Sequence, residues 1–192
     1  PRVLPQGAQA GRDATPGLEE QAERLGSARG GVARLEASDE ELSPTLLDAA
    51  EAGLARVYEP AFGGFGTAPK FPPSSAIELL LRRGSPDALA MVRGTLDGMA
   101  AGGLYDVVGG GFHRYSVDAR WLVPHFEKML YDNALLVSAY LHAFVVTGEE
   151  RFREVVEETV GYLLRELLLT TGGLASAQDA DTDGIEGLTY TW

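Results

Sequence analysis

The chain carries the stretch GGLYDVVGGGFHRYS at residues 102–116 and the stretch WLVPHFEKMLYD at residues 121–132. Together they hold five glycines, two of the three histidines, two aspartates, three tyrosines and a tryptophan. Glycine frees the backbone at an entropic cost, and such a concentration of polar and aromatic residues in a loop is typical of a binding or catalytic site. A glycine-rich connector whose aromatic residues cover a helical core remains the alternative interpretation.

Helical periodicity flanks this region on both sides. Ser43 and Pro44 are typical of a helix start, and apolar residues follow at helical spacing as far as Tyr58. Further helices are predicted at about residues 75–83, 86–101, 124–147 and 149–169, and a short β-hairpin around an acidic turn at residues 174–192. Because strands are too few for an α/β fold, the chain is predicted to be all-α. Antiparallel helical hairpins whose glycine-rich ends meet on one face would form an α/α toroid.

The composition of the chain disfavours some classes of binding partner. A formal net charge of −12 disfavours nucleic acid or an anionic membrane surface. The apolar runs are short and interrupted, and no signal peptide is evident, so a cytoplasmic protein without a membrane span is expected. The absence of cysteine excludes disulfides, thiol catalysis and cysteine-ligated metal within this chain.

Two histidines are candidates for acid/base chemistry. His125 follows Pro124 and is predicted in the first turn of a helix, where the helix dipole disfavours the imidazolium form and a neutral base results. An exposed helix entrance with local ion pairs is the alternative. His113 follows three glycines that allow a close approach to a ligand, so the two histidines could form an acid/base pair. His142, among apolar neighbours, is predicted to be a core residue.

An acidic turn lies near the end of the sequence. Asp179, Asp181 and Asp183 copy the first half of a calcium-binding EF-hand loop, but Tyr190 stands where the bidentate Glu belongs. We therefore predict an acidic hairpin turn that faces a pocket, with no bound metal or other cofactor. Its carboxylates could hold sugar hydroxyls or act as acid and base, and a solvated turn is the simpler alternative.

Several of these motifs occur together and in order: GGFG at residues 63–66, APKFP at 68–72, YD at 105–106, GGGFHRYSVD at 109–118, the stretch at 121–132, and DAD at 179–181 through Tyr190. In this combination the chain resembles the thioredoxin-domain-containing, spermatogenesis-associated protein family. The resemblance covers about residues 43–192. It implies an N-terminal thioredoxin-like domain joined to an (α/α)6 toroid of six helical hairpins, similar to the N-acylglucosamine 2-epimerases and six-hairpin glycosidases.

The resemblance also implies a domain organisation. Residues 1–40 would be the linker after a thioredoxin-like domain, and residues 43–192 would be the N-terminal half of the toroid. Such a half would expose apolar helix faces, so self-association of the isolated segment is expected. Val107 departs from the family pattern, in which relatives often carry His or Gln at this position.

The resemblance implies a sugar-type small molecule as the ligand. It implies acid/base chemistry as the activity. The candidate catalytic residues are His113, His125, Asp106, Asp179 and Asp181. The candidate binding residues are Tyr105, Arg114, Tyr115, Trp121, Glu127, Lys128, Tyr131, Asp132 and Glu186. Two alternatives stay open: a noncatalytic module that binds a ligand or partner for a redox domain, and a glycosidase that pairs Asp106 with Asp179 or Asp181.

Overall fold

Residues 43–191 are described by a computed structural model, and the predicted linker at residues 1–40 lies outside the described residues. The described part is mostly helical, as predicted. Its helices are α1 (Pro44–Val57), α2 (Ser74–Arg83), α3 (Pro86–Ala101), α4 (Leu130–Thr147) and α5 (Glu150–Tyr162), and α5 continues into a π-helical turn at Leu163–Leu167.

Six short strands form three antiparallel pairs. They are β1 (Tyr115–Ser116), β2 (Pro124–His125), β3 (Lys128–Met129), β4 (Ala177–Gln178), β5 (Asp181–Thr182) and β6 (Ile185–Glu186). The pairs are β1 with β2, β3 with β4, and β5 with β6. The last pair is the predicted hairpin, while the pairing of β3 with β4 joins segments about 50 residues apart in the sequence.

Helix ends follow local sequence signals at several points. Ser85 caps α3 by accepting a hydrogen bond from the Ala88 amide at 3.1 Å. Gly84 and Gly148 close α2 and α4 in the left-handed conformation. Gly102, which follows α3, is extended instead, with φ −92°. A Cβ there would lie 2.4 Å from the Trp121 carbonyl oxygen, so glycine is needed at this position for close approach.

The core lies among α2, α3, α4 and α5. Helix α2 packs against α3 and α4, and α4 packs against α5. Tyr140 on α4 is fully buried and donates a hydrogen bond to the Leu96 carbonyl oxygen on α3 at 2.7 Å. Its ring also stacks on Phe112, with the two centroids 5.4 Å apart. This contact fixes the glycine-rich loop to the helical core.

The predicted start of α4 is wrong. The sequence predicts the helix from Pro124, whereas the structure begins it at Leu130 because Pro124 and His125 pair with Ser116 and Tyr115. The helix-dipole argument for a neutral His125 therefore does not apply. His142 is also not a core residue: its side chain is 51% exposed and its Nδ1 lies 2.7 Å from Glu78 Oε1.

Helix α4 has the length and apolar composition of a membrane-crossing helix, with 18 residues. A single helix of this kind is weak evidence for a membrane span, because the core helices of soluble proteins commonly share its length and composition. One face of α4 is buried and carries Leu136, Ala139 and Tyr140. Another face is exposed and carries Leu135 and Val145. The absence of a membrane-spanning segment stays a prediction.

Candidate functional site

The carboxylate of Asp106 organises the glycine-rich loop. Its Oδ1 accepts hydrogen bonds from the amides of Val108 at 3.0 Å and Gly109 at 2.8 Å. Its Oδ2 accepts one from Lys128 Nζ at 2.7 Å. Burial alone would raise the pKa of Asp106, but the Gly109 amide and the Lys128 ammonium outweigh burial and hold the pKa below its usual value. Asp106 is therefore ionised at neutral pH.

Lys128 is a buried cation in this loop. It is 1% exposed, and its Nζ also donates to the Gly110 carbonyl oxygen at 2.9 Å. The ammonium lies 4.4 Å from the ring centroid of Tyr162 and 5.1 Å from that of Tyr190, which are favourable cation–π distances. Burial lowers the pKa of Lys128, and Asp106 opposes this effect.

The glycines let the loop lie flat against α5. Gly111 has φ +79°, and a Cβ there would lie 2.5 Å from Tyr162 Cδ1. A side chain at this position would therefore push the loop away from the ring that covers Lys128.

A cavity of about 220 Å³, here named the Lys128 cavity, opens beside this cation. Polar and aromatic side chains from the loop, β3, β4, the end of α5 and the C-terminal segment surround it. Its lining consists of Asp106, Val108, Gly109, Lys128, Tyr162, Arg165, Glu166, Gln178, Thr189 and Tyr190.

A second cavity of about 310 Å³, here named the His113 cavity, lies next to the first. Its lining is more apolar and consists of Gly103, Tyr105, Asp106, Val107, Val108, His113, Leu122, Pro124, Phe126, Tyr190 and Thr191. Asp106, Val108 and Tyr190 belong to both cavities.

His113 has a defined protonation state in its cavity. Its Nδ1 lies 2.9 Å from the Phe126 carbonyl oxygen, and because a carbonyl can only accept, Nδ1 carries the proton and Nε2 has the lone pair. The residue is 2% exposed. Burial, together with the positive charge of Lys128, lowers the pKa of His113 to about 4. His113 is thus a neutral hydrogen-bond acceptor at physiological pH.

His125 lies in a different environment. Its Nδ1 is 2.7 Å from Glu186 Oε1, its Nε2 is 3.6 Å from Glu127 Oε2, and its ring stacks on Tyr115. Glu127 Oε2 also accepts a hydrogen bond from Arg114 Nη1 at 2.9 Å. None of these five residues lines the His113 cavity. The predicted acid/base pair of His113 and His125 is therefore not assembled in one cavity.

Asp132 is a half-buried carboxyl in the first turn of α4. Its Oδ2 has no hydrogen-bond partner among the described residues. Burial raises the pKa of Asp132 from the usual 3.8 to about 6, although Arg114 acts in the opposite direction. Neighbouring Tyr131 is exposed and, like Asp132, lines neither cavity.

This raised pKa predicts a pH-dependent effect of Asp132→Asn. A raised pKa in the folded chain means that the proton on Asp132 contributes stability below about pH 4, which is lost as the pH rises through about 6. Asp132→Asn should therefore be about 1–2 kcal/mol more stable than the parent at pH 8 and equal to it near pH 4. Urea unfolding of both proteins at the two pH values measures this, and a constant difference would contradict it.

Two aromatic residues among the candidate binding residues, Trp121 and Tyr105, are part of the buried core. Trp121 is 0% exposed, and its Nε1 donates to the carbonyl oxygens of Phe62 and Gly63 at 3.1 and 3.2 Å. Tyr105 forms part of the His113 cavity wall, but its hydroxyl donates to Glu158 and its ring packs on Phe112. Neither residue offers a free ring face.

The acidic turn does not face either cavity. Asp179 and Asp181 are exposed, and Asp179 Oδ1 accepts a hydrogen bond from the Asp181 amide at 3.2 Å. They line neither the Lys128 cavity nor the His113 cavity, which corrects the expectation of a pocket-facing turn. Within residues 43–191 no group of three or more His, Asp or Glu side chains is arranged to hold a metal ion.

A larger cavity of about 460 Å³ lies beside α3. Its charged lining residues are Asp97 and Arg120. Asp97 is paired with Arg151, whose Nε lies 2.6 Å from Asp97 Oδ1, and Arg120 lies over the Phe62 ring. The charge of the Asp97 carboxylate is already balanced by Arg151, and no histidine lines this larger cavity. The His113 cavity is therefore the stronger candidate site.

Comparison with known proteins identifies homologous sequences. No protein-family model matches the chain. Human spermatogenesis-associated protein 20 is 38% identical over 192 residues, an alignment that covers 91% of this chain. The chain is homologous to spermatogenesis-associated protein 20. The mouse protein of that name is 42% identical over 149 residues, or 70% of this chain. The homologous region spans 24% of the human protein and 19% of the mouse protein.

Three solved structures that this chain resembles in fold are sugar epimerases. A sugar epimerase from a ruminal bacterium has a TM-score of 0.56 at 12% identity, covering 70% of this chain and 40% of that one. Cellobiose 2-epimerase from Bacillus thermoamylovorans has a TM-score of 0.59 at 12% identity, with coverages of 71% and 42%. The enzyme of the same name from Spirochaeta thermophila has a TM-score of 0.56 at 23% identity, with coverages of 69% and 39%. These likenesses confirm the predicted partial (α/α)6 toroid.

Proposed function

We propose that the His113 cavity binds a carbohydrate or a similar polyhydroxylated molecule, and that His113 Nε2 accepts a hydrogen bond or a proton from it. The observation that carries the proposal is the contact of Nδ1 with the Phe126 carbonyl oxygen, which leaves Nε2, on the opposite side of the ring, as the hydrogen-bond acceptor. The aromatic rings of Phe126 and Tyr190, which stack on each other with their centroids 5.6 Å apart, give the cavity wall apolar surface that suits the face of a sugar ring.

Proton transfer beside a sugar carbonyl is the chemistry that this arrangement would support. A base that stays neutral at pH 7 is ready to accept a proton, and epimerisation also needs a group that returns one to the opposite face. Asp132, with a pKa of about 6, could be protonated near neutral pH, but it lies outside the cavity. The returning group is therefore not assigned within residues 43–191.

Noncatalytic binding is the second candidate, and a specific observation favours it. A pKa of about 4 makes His113 a weak base, which suits hydrogen bonding to a hydroxyl better than removal of a carbon-bound proton. Glycoside hydrolysis has less support. Asp106 is held ionised by Lys128 and two amides, and both of its proposed partners are exposed. A general acid must hold a proton at working pH.

Solvent-deuterium incorporation tests the proposal. A panel of reducing sugars and N-acylated amino sugars is incubated with the protein in D₂O. NMR then measures the incorporation of deuterium at the carbon next to the sugar carbonyl. His113→Ala should reduce incorporation at least about a hundredfold. His142→Ala, which removes an exposed histidine outside both cavities, should leave it unchanged.

Three outcomes decide among the candidates. Incorporation that survives in His113→Ala contradicts the assigned role of His113. Binding without incorporation, lost in His113→Ala, supports the noncatalytic module. Neither binding nor incorporation for any sugar in the panel overturns the carbohydrate proposal.

We also infer that residues 43–192 form the N-terminal half of a toroid within a longer protein. The chain covers 39–42% of the three toroidal structures and about a quarter of the human relative, which supports this organisation. A preceding thioredoxin-like domain, and a cytoplasmic location, remain part of the same proposal.

A further inference from the structure

Two cavities meet at the glycine-rich loop, and Val108 is the most exposed of the three residues that line both of them. Val108 lines both the His113 cavity and the Lys128 cavity, and it is 75% exposed. Its backbone is held by the hydrogen bond from its amide to Asp106 Oδ1. Val108 is therefore a fixed, apolar feature across which a molecule longer than one sugar unit would lie.

Charges around the Lys128 cavity are matched in pairs. Lys128 is bound to Asp106, with 2.7 Å between Nζ and Oδ2, and Arg165 to Glu166, with 2.7 Å between Nε and Oε1. Because each cation has its own carboxylate, the cavity carries no unmatched charge that would select an anionic or cationic ligand. A neutral ligand fits this electrostatic balance best.

Hydrogen-bonding capacity remains at the cavity wall. Gln178 Oε1 accepts a hydrogen bond from the Tyr162 hydroxyl at 3.0 Å, and within residues 43–191 no hydrogen bond involves the side-chain amide nitrogen of Gln178, Nε2. The Thr189 hydroxyl lies 2.6 Å from that of Thr182 and keeps further capacity as donor or acceptor. Neutral donors and acceptors beside the ring of Tyr162 suit hydroxyl groups.

We propose that the Lys128 cavity is a second sugar subsite and that the ligand is a neutral disaccharide or glycoside that crosses Val108, with one unit in each cavity. This inference rests on the proposed function, since it assumes that the His113 cavity holds the first unit. It assigns Gln178 and Thr189 as contacts of the second unit.

Matched sugars and matched variants test this inference. The probes are glucose with cellobiose, and N-acetylglucosamine with N,N′-diacetylchitobiose, titrated against the chain by calorimetry. At least one disaccharide should bind about tenfold more tightly than its monosaccharide, the effect of one or two added hydrogen bonds. In the parent protein, saturation-transfer NMR should give signals from both rings of that disaccharide.

Two threonines provide the matched pair. Thr189 lines the Lys128 cavity alone and Thr191 the His113 cavity alone, and both are exposed. Thr189→Trp should reduce disaccharide affinity to the level of the monosaccharide and leave monosaccharide binding unchanged. Thr191→Trp should weaken both. Circular dichroism and thermal melting of both variants check the fold.

Failure of the subsite and failure of the proposed function are distinguishable. Equal affinities for monosaccharide and disaccharide, with signals from one ring only, overturn the second subsite while the His113 cavity keeps its assignment. Loss of monosaccharide binding in Thr189→Trp overturns the division into two subsites. No binding of any of the four sugars overturns the inference together with the function on which it rests.

Discussion

Replacing Lys128 with Met is expected to destabilise the chain by about 3–5 kcal/mol, because the substitution leaves the Asp106 carboxylate without its buried counterion. The Lys128 ammonium is nearly inaccessible, so water cannot replace it freely. The substitution also removes the hydrogen bond to the Gly110 carbonyl oxygen and the contacts with two tyrosine rings. Urea unfolding at pH 7 measures the loss.

A second variant separates the lost charge from the lost packing. The double variant Asp106→Asn/Lys128→Met removes both charges and should recover part of the loss, because no unpaired carboxylate remains. Arg153→Met is the matched control: Arg153 pairs with Glu150 and Glu157 at the surface of α5, and its loss should leave the free energy of unfolding nearly unchanged. Equal effects of Lys128→Met and Arg153→Met would show that the buried ion pair contributes little.

Local sequence signals predicted much of the helical framework. Ser85 followed by Pro86, and Gly148 after a long apolar run, mark helix ends that the structure places at the same points. These signals are reliable because each cap satisfies backbone groups within a few residues of itself. The order of motifs from residue 63 to residue 190 carried the resemblance to a known family, and that resemblance implied the toroid.

Long-range strand pairing explains why the start of α4 was predicted wrongly. Pro124 fits the first turn of a helix as well as it fits a strand end, and only the pairing with Ser116 decides between them. A single sequence contains no signal for that pairing. The error moved His125 from a helix start to a strand, where two carboxylates surround it.

The two cavities were only partly predictable for the same reason. Asp106, His113 and Lys128 stood out as polar residues in a glycine-rich loop, and all three line a cavity. Tyr162, Gln178, Thr189 and Tyr190 were not proposed as site residues. Tyr162 and Gln178 reach the cavities through the packing of α5 and the pairing of β3 with β4, and Thr189 and Tyr190 through the C-terminal segment, in which Tyr190 stacks on Phe126. In the sequence analysis Tyr190 was noted as a residue that breaks a calcium motif and as the end of the last family motif.

Replacing Trp121 with Ala is expected to cost about 3–5 kcal/mol of stability, the range for truncating a large buried aromatic residue. Trp121 has no exposed surface and holds the loop at residues 62–63 through its indole nitrogen. Trp121→Phe keeps a ring in the core but leaves the two carbonyl oxygens without this donor, so a smaller loss of about 1–3 kcal/mol is expected. Thermal and urea unfolding of both variants measure these values.

Ligand binding distinguishes this structural role of Trp121 from the ligand-binding role for which the sequence made it a candidate. Trp121 lines none of the three cavities described above, so folded Trp121→Phe protein should bind a sugar ligand with the affinity of the parent. His113→Ala should show the opposite pattern, with lost binding in a folded chain. The predicted independence follows from geometry: the indole lies beneath the loop that contains Phe62, whereas the His113 imidazole forms a cavity wall. Weakened sugar binding by folded Trp121→Phe protein would contradict this prediction and would indicate that Trp121 contributes to the binding site.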